Sequence, residues 1–220
     1  MPSSKPQPDL QHELALWQAG YRRVAGVDEA GRGAWAGPVM VAAVVLPPDP
    51  AVAAQLAGVN DSKQLSAAQR ERLYDIVVRY AMAWSVSAAS AQQIDAIGIA
   101  AATRQAMLDA ISTVAADFAL IDYVRLPELA LPQHSLPKGD SKVLSIAAAS
   151  ILAKVTRDRW LAELGRSYPM YGFERHKGYG VAAHQRALQA VGPCAEHRHS
   201  FAPIRAQQLA LFPAITGDHP

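Results

Sequence analysis

The stretch Ser145–Trp160, SIAAASILAKVTRDRW, limits most severely what this chain can fold into. Read at the helical period it is apolar nearly all round until its last turn, so no face of it can be left to water. A helix of that kind belongs in the core of a domain, and the other elements must cover it.

Short runs rich in valine supply a sheet. Val24–Glu29 and Val39–Leu46 read as two strands, and the brief glycine-bearing segment between them makes the pair antiparallel. Met82–Val86, with Trp84 in its middle, is a third strand candidate. Phe118–Asp122 is a continuous apolar run ending in a carboxylate, the pattern of a buried strand that delivers an acid at its tip. Helices are expected at Leu10–Ala19, closed by Gly20, and at Ser66–Tyr80. One long helix is expected where Ile94, Ile97, Ala101, Leu108 and Ile111 share a face. The segment between Asp122 and Lys138 reads as a proline-punctuated loop, and beyond Pro169 short helices and loops follow.

These elements predict an α/β fold with a central mixed β-sheet flanked by helices and a helical C-terminal part over about 165–212. Residues 1–9, rich in proline and serine, are expected to form a disordered lead, 10–212 a single domain, and 213–220 a flexible tail. Cys194 is the single cysteine, which excludes an internal disulfide. The start MPSSKPQPDL carries no apolar signal core and no run is long enough to span a bilayer, so a cytoplasmic, membrane-free protein is expected. The net charge is only +2, but Lys154–Arg205 holds nine basic residues against four acidic ones, a stretch suited to a phosphate backbone or to a solvated helical surface.

Chemistry concentrates in Ala25–Val39, AGVDEAGRGAWAGPV, where Asp28, Glu29 and Arg32 stand among small and apolar residues. Two adjacent carboxylates that converge need a cation between them, and oxygen ligands favour magnesium or manganese. A solvated turn is the plainer alternative. Asp122 at a strand tip and Asp140 ahead of the core helix are further acids at element ends, open to readings as a turn former and an N-cap. Gly31-Arg32-Gly33 offers backbone N–H groups to a phosphate or sugar, but it is neither a dinucleotide fingerprint nor a P-loop. Cys194, His197 and His199 invite a zinc reading that lacks further ligands, and no nucleophile elbow surrounds Ser150. Asp61-Ser62-Lys63 is either a phosphate holder or a helix cap.

Taken in order, GVDEAGRG, AGPV, DSKQLS, LIDYVRLP, KGDSKVLSIAAASILAKVTRDRW, YGFERHKGYG, AAHQRAL and HRHSFAP resemble the bacterial type 2 ribonuclease H family, ribonuclease HII, from about Leu14 to Ile204. The resemblance implies a ribonuclease H-like fold and endonucleolytic cleavage of RNA in RNA–DNA hybrids, including single ribonucleotides embedded in duplex DNA. It implies that Asp28, Glu29, Asp122 and Asp140 are the catalytic, metal-holding acids, that Gly31, Arg32 and Gly33 recognise the 2′-hydroxyl, and that Tyr179 packs on the sugar at the RNA–DNA junction. Two Mg2+ or Mn2+ ions would then drive an in-line displacement that leaves 5′-phosphate and 3′-hydroxyl ends. A monomer is expected, with the basic stretch after Lys154 positioning the duplex.

Two positions depart from the family's pattern. Ala34 stands where proline usually follows the glycine-arginine-glycine motif, and Tyr123-Val124 stands where Asp122 is usually followed by glycine and often asparagine. A bulky Tyr123 beside the metals is expected to alter substrate fit or metal preference. The alternatives from other classes are a non-catalytic hybrid-binding module, disfavoured by four acids at element ends, and a small-substrate phosphatase, disfavoured by the basic stretch. Residues after Phe212 are a candidate contact for a partner such as a replication clamp.

Overall fold

Strand β1 (Val24–Ala30) runs antiparallel to β2 (Val39–Val45), and β2 runs antiparallel to β3 (Ala83–Ala89). On its other edge β1 pairs in parallel with β4 (Phe118–Asp122), which pairs in parallel with β5 (Gln133–Leu136). The result is one five-stranded mixed sheet in the order β3-β2-β1-β4-β5. The computed structural model describes residues 7–211.

The helices are α1 (Gln11–Gln18), α2 (Val52–Gln55), α3 (Ala67–Tyr80), α4 (Ala91–Ile97), α5 (Ile99–Thr113), α6 (Leu144–Ser167), α7 (Phe173–His176), α8 (Ala182–Val191) and α9 (Ala202–Leu211). Alternation along the strands sorts them into layers. Val24, Ala42, Val44, Phe118 and Leu120 point to the face covered by α1, α3 and α6. Ala25, Val27, Val41, Ala43, Ala119 and Ile121 point to the opposite face, covered by α4 and α5. Because the central strands are buried on both faces, they read as unbroken apolar runs.

The expected core helix is α6, and it lies directly on β1. A Cβ added at Gly26 would fall 2.2 Å from the Ser145 carbonyl carbon, so only glycine lets the first turn of α6 rest on the strand. No side chain of its own caps α6; instead the buried Glu13 of α1 accepts a hydrogen bond from the Ser145 N–H at 2.8 Å. A carboxylate at a helix N-terminus is favoured by both the free N–H groups and the macrodipole.

Several expectations change. The long helix over Ile94–Ile111 is two helices, broken at Gly98, where φ is +80°. Ser90 and Gln93 form a capping box that starts the first of them, and Ile97 is turned to solvent rather than aligned on the apolar face. The proline-rich loop contains β5, an edge strand. Within the lead expected over 1–9, Asp9 bridges Val143, its N–H donating to the Lys142 carbonyl at 3.0 Å. Residues 1–6 and the tail 213–220, with Phe212, lie outside the described residues.

The C-terminal helices form their own small core, in which Tyr171, Phe173, Leu188 and Ile204 surround Leu161 of α6 and Ala36 of the β1–β2 connection. That core reaches the connection itself, because Ala36 and His197 form an isolated bridge. Among the described residues no helix is long and apolar enough to cross a membrane.

Candidate active site

Parallel neighbours β1 and β4 end side by side. The register pairs Val27 with Ile121, which sets Asp28 beside Asp122. Asp140 arrives from the turn Gly139–Ser141 just ahead of α6. One carboxylate oxygen from each of Asp28, Asp122 and Asp140 lies within 4.8 Å of the other two. Asp140 is therefore not the helix cap that its sequence context allows. The turn is tied to the strand tip by the Gly139 N–H, which donates to Asp122 Oδ1 at 2.7 Å.

Burial, and after it the charges of Glu29 and Asp122, push the Asp28 carboxyl well above its ordinary range. Burial likewise raises Glu29 against the pull of Arg32, and raises Asp122 against the hydrogen bond from Gly139. Lys63 Nζ donates to Asp140 Oδ2 at 3.2 Å and lies 3.9 Å from Asp61 Oδ1. Burial pulls the Lys63 ammonium down, but the surrounding carboxylates outweigh it and its pKa is raised. Crowded carboxylates raised in this way are undercompensated, and a hard divalent cation is the group that their oxygens suit.

Glu29 stands outside the three-acid group. Its Oε1 lies 3.7 Å from Arg32 Nη1, whereas its Oε2 is buried without a hydrogen-bond partner. An orphaned acceptor beside three acids is what an oxygen ligand without its cation looks like. Asp61-Ser62-Lys63 divides by residue. Asp61 caps its own turn, Ser62 Oγ shares a hydrogen bond with Ser150 Oγ at 2.8 Å, and Lys63 faces the acids. Ser150 thus lies behind Asp28 in the same cleft, where its hydroxyl works against the rise that burial imposes on that carboxyl.

The loop after β1 is held from beneath by two buried arginines. Arg157 donates to the carbonyls of Pro38, Ala36 and Lys177 at 2.9, 3.0 and 2.9 Å. Arg198 donates to those of Gly37, Arg32 and Gly31 at 3.0, 2.8 and 2.8 Å. Both side chains are fully buried, which corrects the reading of these two residues as part of a phosphate-contacting surface. Their guanidiniums occupy the loop's carbonyls, while the N–H groups of Arg32 and Gly33 find no backbone acceptor among the described residues. Gly31 is at φ +88°, and a Cβ there would fall 1.9 Å from Arg157 Nε.

A cleft of about 260 Å³ is lined jointly by Asp28, Glu29, Asp122, Gly31-Arg32-Gly33, Lys154 and Tyr179. Partly exposed Tyr179 packs its ring near the Arg157 guanidinium, 5.4 Å away, and Lys154 Nζ, 6.0 Å away. The eight residues that the resemblance assigns to the site thus meet at one place, with Asp140 joining through the acid group. What pattern reading missed is the pair Arg157 and Arg198, whose charge suggests surface and whose partners are backbone atoms.

The zinc reading fails on geometry. His197 does meet Cys194, with Nδ1 3.2 Å from Sγ, but its Nε2 is hydrogen-bonded to His184 Nε2 at 3.0 Å. Among the described residues the only group of three acids, histidines or cysteines arranged for a metal is Asp28, Asp122 and Asp140.

The sequence model of the family described as ribonuclease HII matches residues 25–204. A ribonuclease HII of Chloroflexus aurantiacus is 52% identical over 209 residues, covering 93% of this chain and 98% of that one. One of Halalkalibacterium halodurans is 52% identical over 198 residues, covering 89% of this chain and 73% of that one. Among solved structures, the ribonuclease H2 of Pyrococcus horikoshii OT3 superposes with a TM-score of 0.72 at 25% identity, over 86% of this chain and 98% of that one. With a ribonuclease H-like sheet that gathers its acids at the tips of β1 and β4, and with this similarity running almost from end to end, the chain belongs to the ribonuclease HII family and is a ribonuclease H hydrolase.

Proposed function

We propose that this protein is an endonuclease that nicks duplex DNA at single embedded ribonucleotides, leaving 5′-phosphate and 3′-hydroxyl ends. Hydrolysis of the RNA strand of RNA–DNA hybrids, with a divalent metal, follows from the family. The finer reading is carried by one observation: the acids share a single cleft with the Gly31-Arg32-Gly33 backbone and the Tyr179 ring.

Asp28, Asp122 and Asp140 fit divalent metal through their convergent oxygens, and Glu29 fits through its orphaned Oε2. Two ions, Mg2+ or Mn2+, are the assignment; bound there they supply activation of water and charge stabilisation at the leaving oxygen. The rest is the work of the chain. Arg157 and Arg198 draw the loop's carbonyls inward, leaving backbone N–H groups to meet a 2′-hydroxyl, which separates RNA from DNA without reading the base. Tyr179 packs on the neighbouring sugar, and Lys63 holds Asp140 in place between turns of the chain. No side-chain nucleophile takes part.

The test is a DNA duplex carrying one ribonucleotide, incubated with magnesium or manganese and mapped for nicks. The wild type nicks at the ribonucleotide and leaves an all-DNA duplex intact. Asp28→Asn and Asp122→Asn each lower the rate by about 100-fold or more, the scale set by removing a group that stabilises transition-state charge. Nicking that survives both substitutions overturns the metal assignment, and equal cutting of all-DNA duplex overturns the role of Gly31-Arg32-Gly33. Tyr179→Ala lowers turnover at the single ribonucleotide with the fold intact; unchanged turnover removes Tyr179 from the site.

A further inference from the structure

The acids sit at the junction of two clefts, only one of which the proposed function uses. Asp122 and Lys63 line both. The second cleft, about 660 Å³, is lined by none of Gly31-Arg32-Gly33 and is walled by Tyr123, Lys138 and Lys142.

Tyr123 is the anomaly of this second cleft. It directly follows Asp122, is 72% exposed, and sits at φ +56°. A bulky residue in the left-handed region carries a backbone cost that glycine would avoid. Little offsets that cost: the side chain is largely exposed, and among the described residues it makes no hydrogen bond, ion pair or ring contact. Its backbone is nevertheless fixed, since the Tyr123 N–H donates to the Leu136 carbonyl at 3.2 Å and ties it to β5. A ring carried on a fixed backbone at the edge of the acid group, exposed and without a protein partner, is open to a flat ligand.

The chemistry of the walls says which ligand. Lys138 stands on its own left-handed turn, and Lys142 is steadied by the Pro137 carbonyl, which accepts from its Nζ at 2.8 Å. Two lysines beside an aromatic platform match a nucleic-acid strand, with ammonium groups for phosphates and a ring for a base or sugar. Stacking of this kind tolerates any base.

We propose that Tyr123 is a positioning residue for the cleaved strand, stacking on a nucleotide across the scissile phosphate from the ribose that Gly31-Arg32-Gly33 reads, with Lys138 and Lys142 on the adjoining phosphates. The inference rests on the endonuclease reading above and extends the substrate footprint beyond it. Tyr123→Gly suits the backbone geometry, so the variant folds. On a long duplex with one central ribonucleotide it raises KM about tenfold, the scale of losing one base–aromatic stack, while kcat falls less than twofold. Tyr123→Phe keeps the wild-type KM. On duplexes shortened from one end and then the other, one of the two truncations removes the nucleotide that Tyr123 meets, and there wild type and Tyr123→Gly have the same KM.

An unchanged KM for Tyr123→Gly on the long duplex overturns the proposal. So does a deficit that persists on both truncated duplexes, which would make the effect structural. Failure of the endonuclease reading looks different: the wild type then leaves every ribonucleotide-containing duplex uncut, and both proposals fall together.

Discussion

Gly31 and Gly33 flank Arg32 symmetrically in the sequence, yet their surroundings differ. Gly31 is at φ +88° with Arg157 directly beneath it, whereas a Cβ on Gly33 meets nothing within 4 Å. Gly31→Ala must displace the guanidinium that holds the carbonyls of Pro38, Ala36 and Lys177. Chemical denaturation is expected to show a loss of about 2–4 kcal/mol for Gly31→Ala, the range for overpacking combined with a disturbed buried polar network. Gly33→Ala is expected to stay within about 0.5 kcal/mol of wild type, because surface changes rarely do more, and to lower cleavage through access to the backbone alone. Equal destabilisation by the two would contradict this account of the loop. The sequence shows both glycines but cannot show this difference, since it arises from Arg157, 126 positions away in the chain. Arg198 is hidden in the same way. Burial, and then the nearby Arg157 charge, push it down to about 9, and it faces carbonyls rather than acids. Burying two cations without carboxylates is costly, so their return is the specified shape of one loop.

At the scale of elements, periodicity identified what is buried and missed what is held by single residues. Helix α6 was readable because both of its long faces are apolar, and β1, β2 and β4 because they are covered on both sides. Strand β5 was not, since Gln133-His134-Ser135-Leu136 is a partly exposed edge whose pairing comes from β4. The break between α4 and α5 rests on Gly98 alone. The C-terminal helices owe their seating to a histidine pair that no period reveals. His184 Nδ1 faces the Tyr179 carbonyl at 3.0 Å and therefore carries the proton, which leaves its Nε2 to accept from His197. His197 Nδ1 in turn accepts from the Cys194 N–H at 3.0 Å. Protonating either ring sets donor against donor. Burial above all lowers His184 from 6.5 to about 4 and His197 from 6.5 to about 3. Because these folded values lie below the unfolded one, the unfolded state takes up protons first. Stability is full above about pH 6.5 and falls as pH drops towards 4, with a slope of up to about 1.4 kcal/mol per pH unit for each histidine. The raised acids act in the opposite sense in both proteins, so the decline is read as the difference between the urea midpoints of wild type and His197→Gln, which narrows from pH 7.5 to 4.5. Identical pH profiles for the two proteins would remove the pair from the account.

Across the whole molecule, elements distant in sequence converge on a place that the metal-free fold finds uncomfortable. Fold class, the antiparallel pairing of β1 with β2 and the four acids follow from pattern and resemblance; the parallel pairing of β1 with β4, and the placement of Glu29 apart from the other three acids with its unpartnered Oε2, follow only from packing. Burial raises Asp28, Glu29 and Asp122 above their ordinary values. A carboxyl whose folded value is raised favours the fold at low pH and loses that contribution as pH rises through the folded value. At neutral pH the crowded acids therefore weigh against the folded state, and a cation relieves them. Magnesium or manganese at about 100 times its dissociation constant is expected to add about 2.7 kcal/mol. For a domain of this size that is a rise in Tm of roughly 5–10 °C at pH 7.5. Asp28→Asn makes the sharper measurement, because it separates two consequences of one charge. Removing the acid whose carboxyl is pushed well above its ordinary range raises the Tm of the metal-free protein, abolishes the metal-dependent rise and abolishes cleavage. A wild type whose Tm ignores both metals would show that these oxygens do not form a metal site, whereas an Asp28→Asn protein less stable than metal-free wild type would show that its carboxylate serves the fold rather than the reaction.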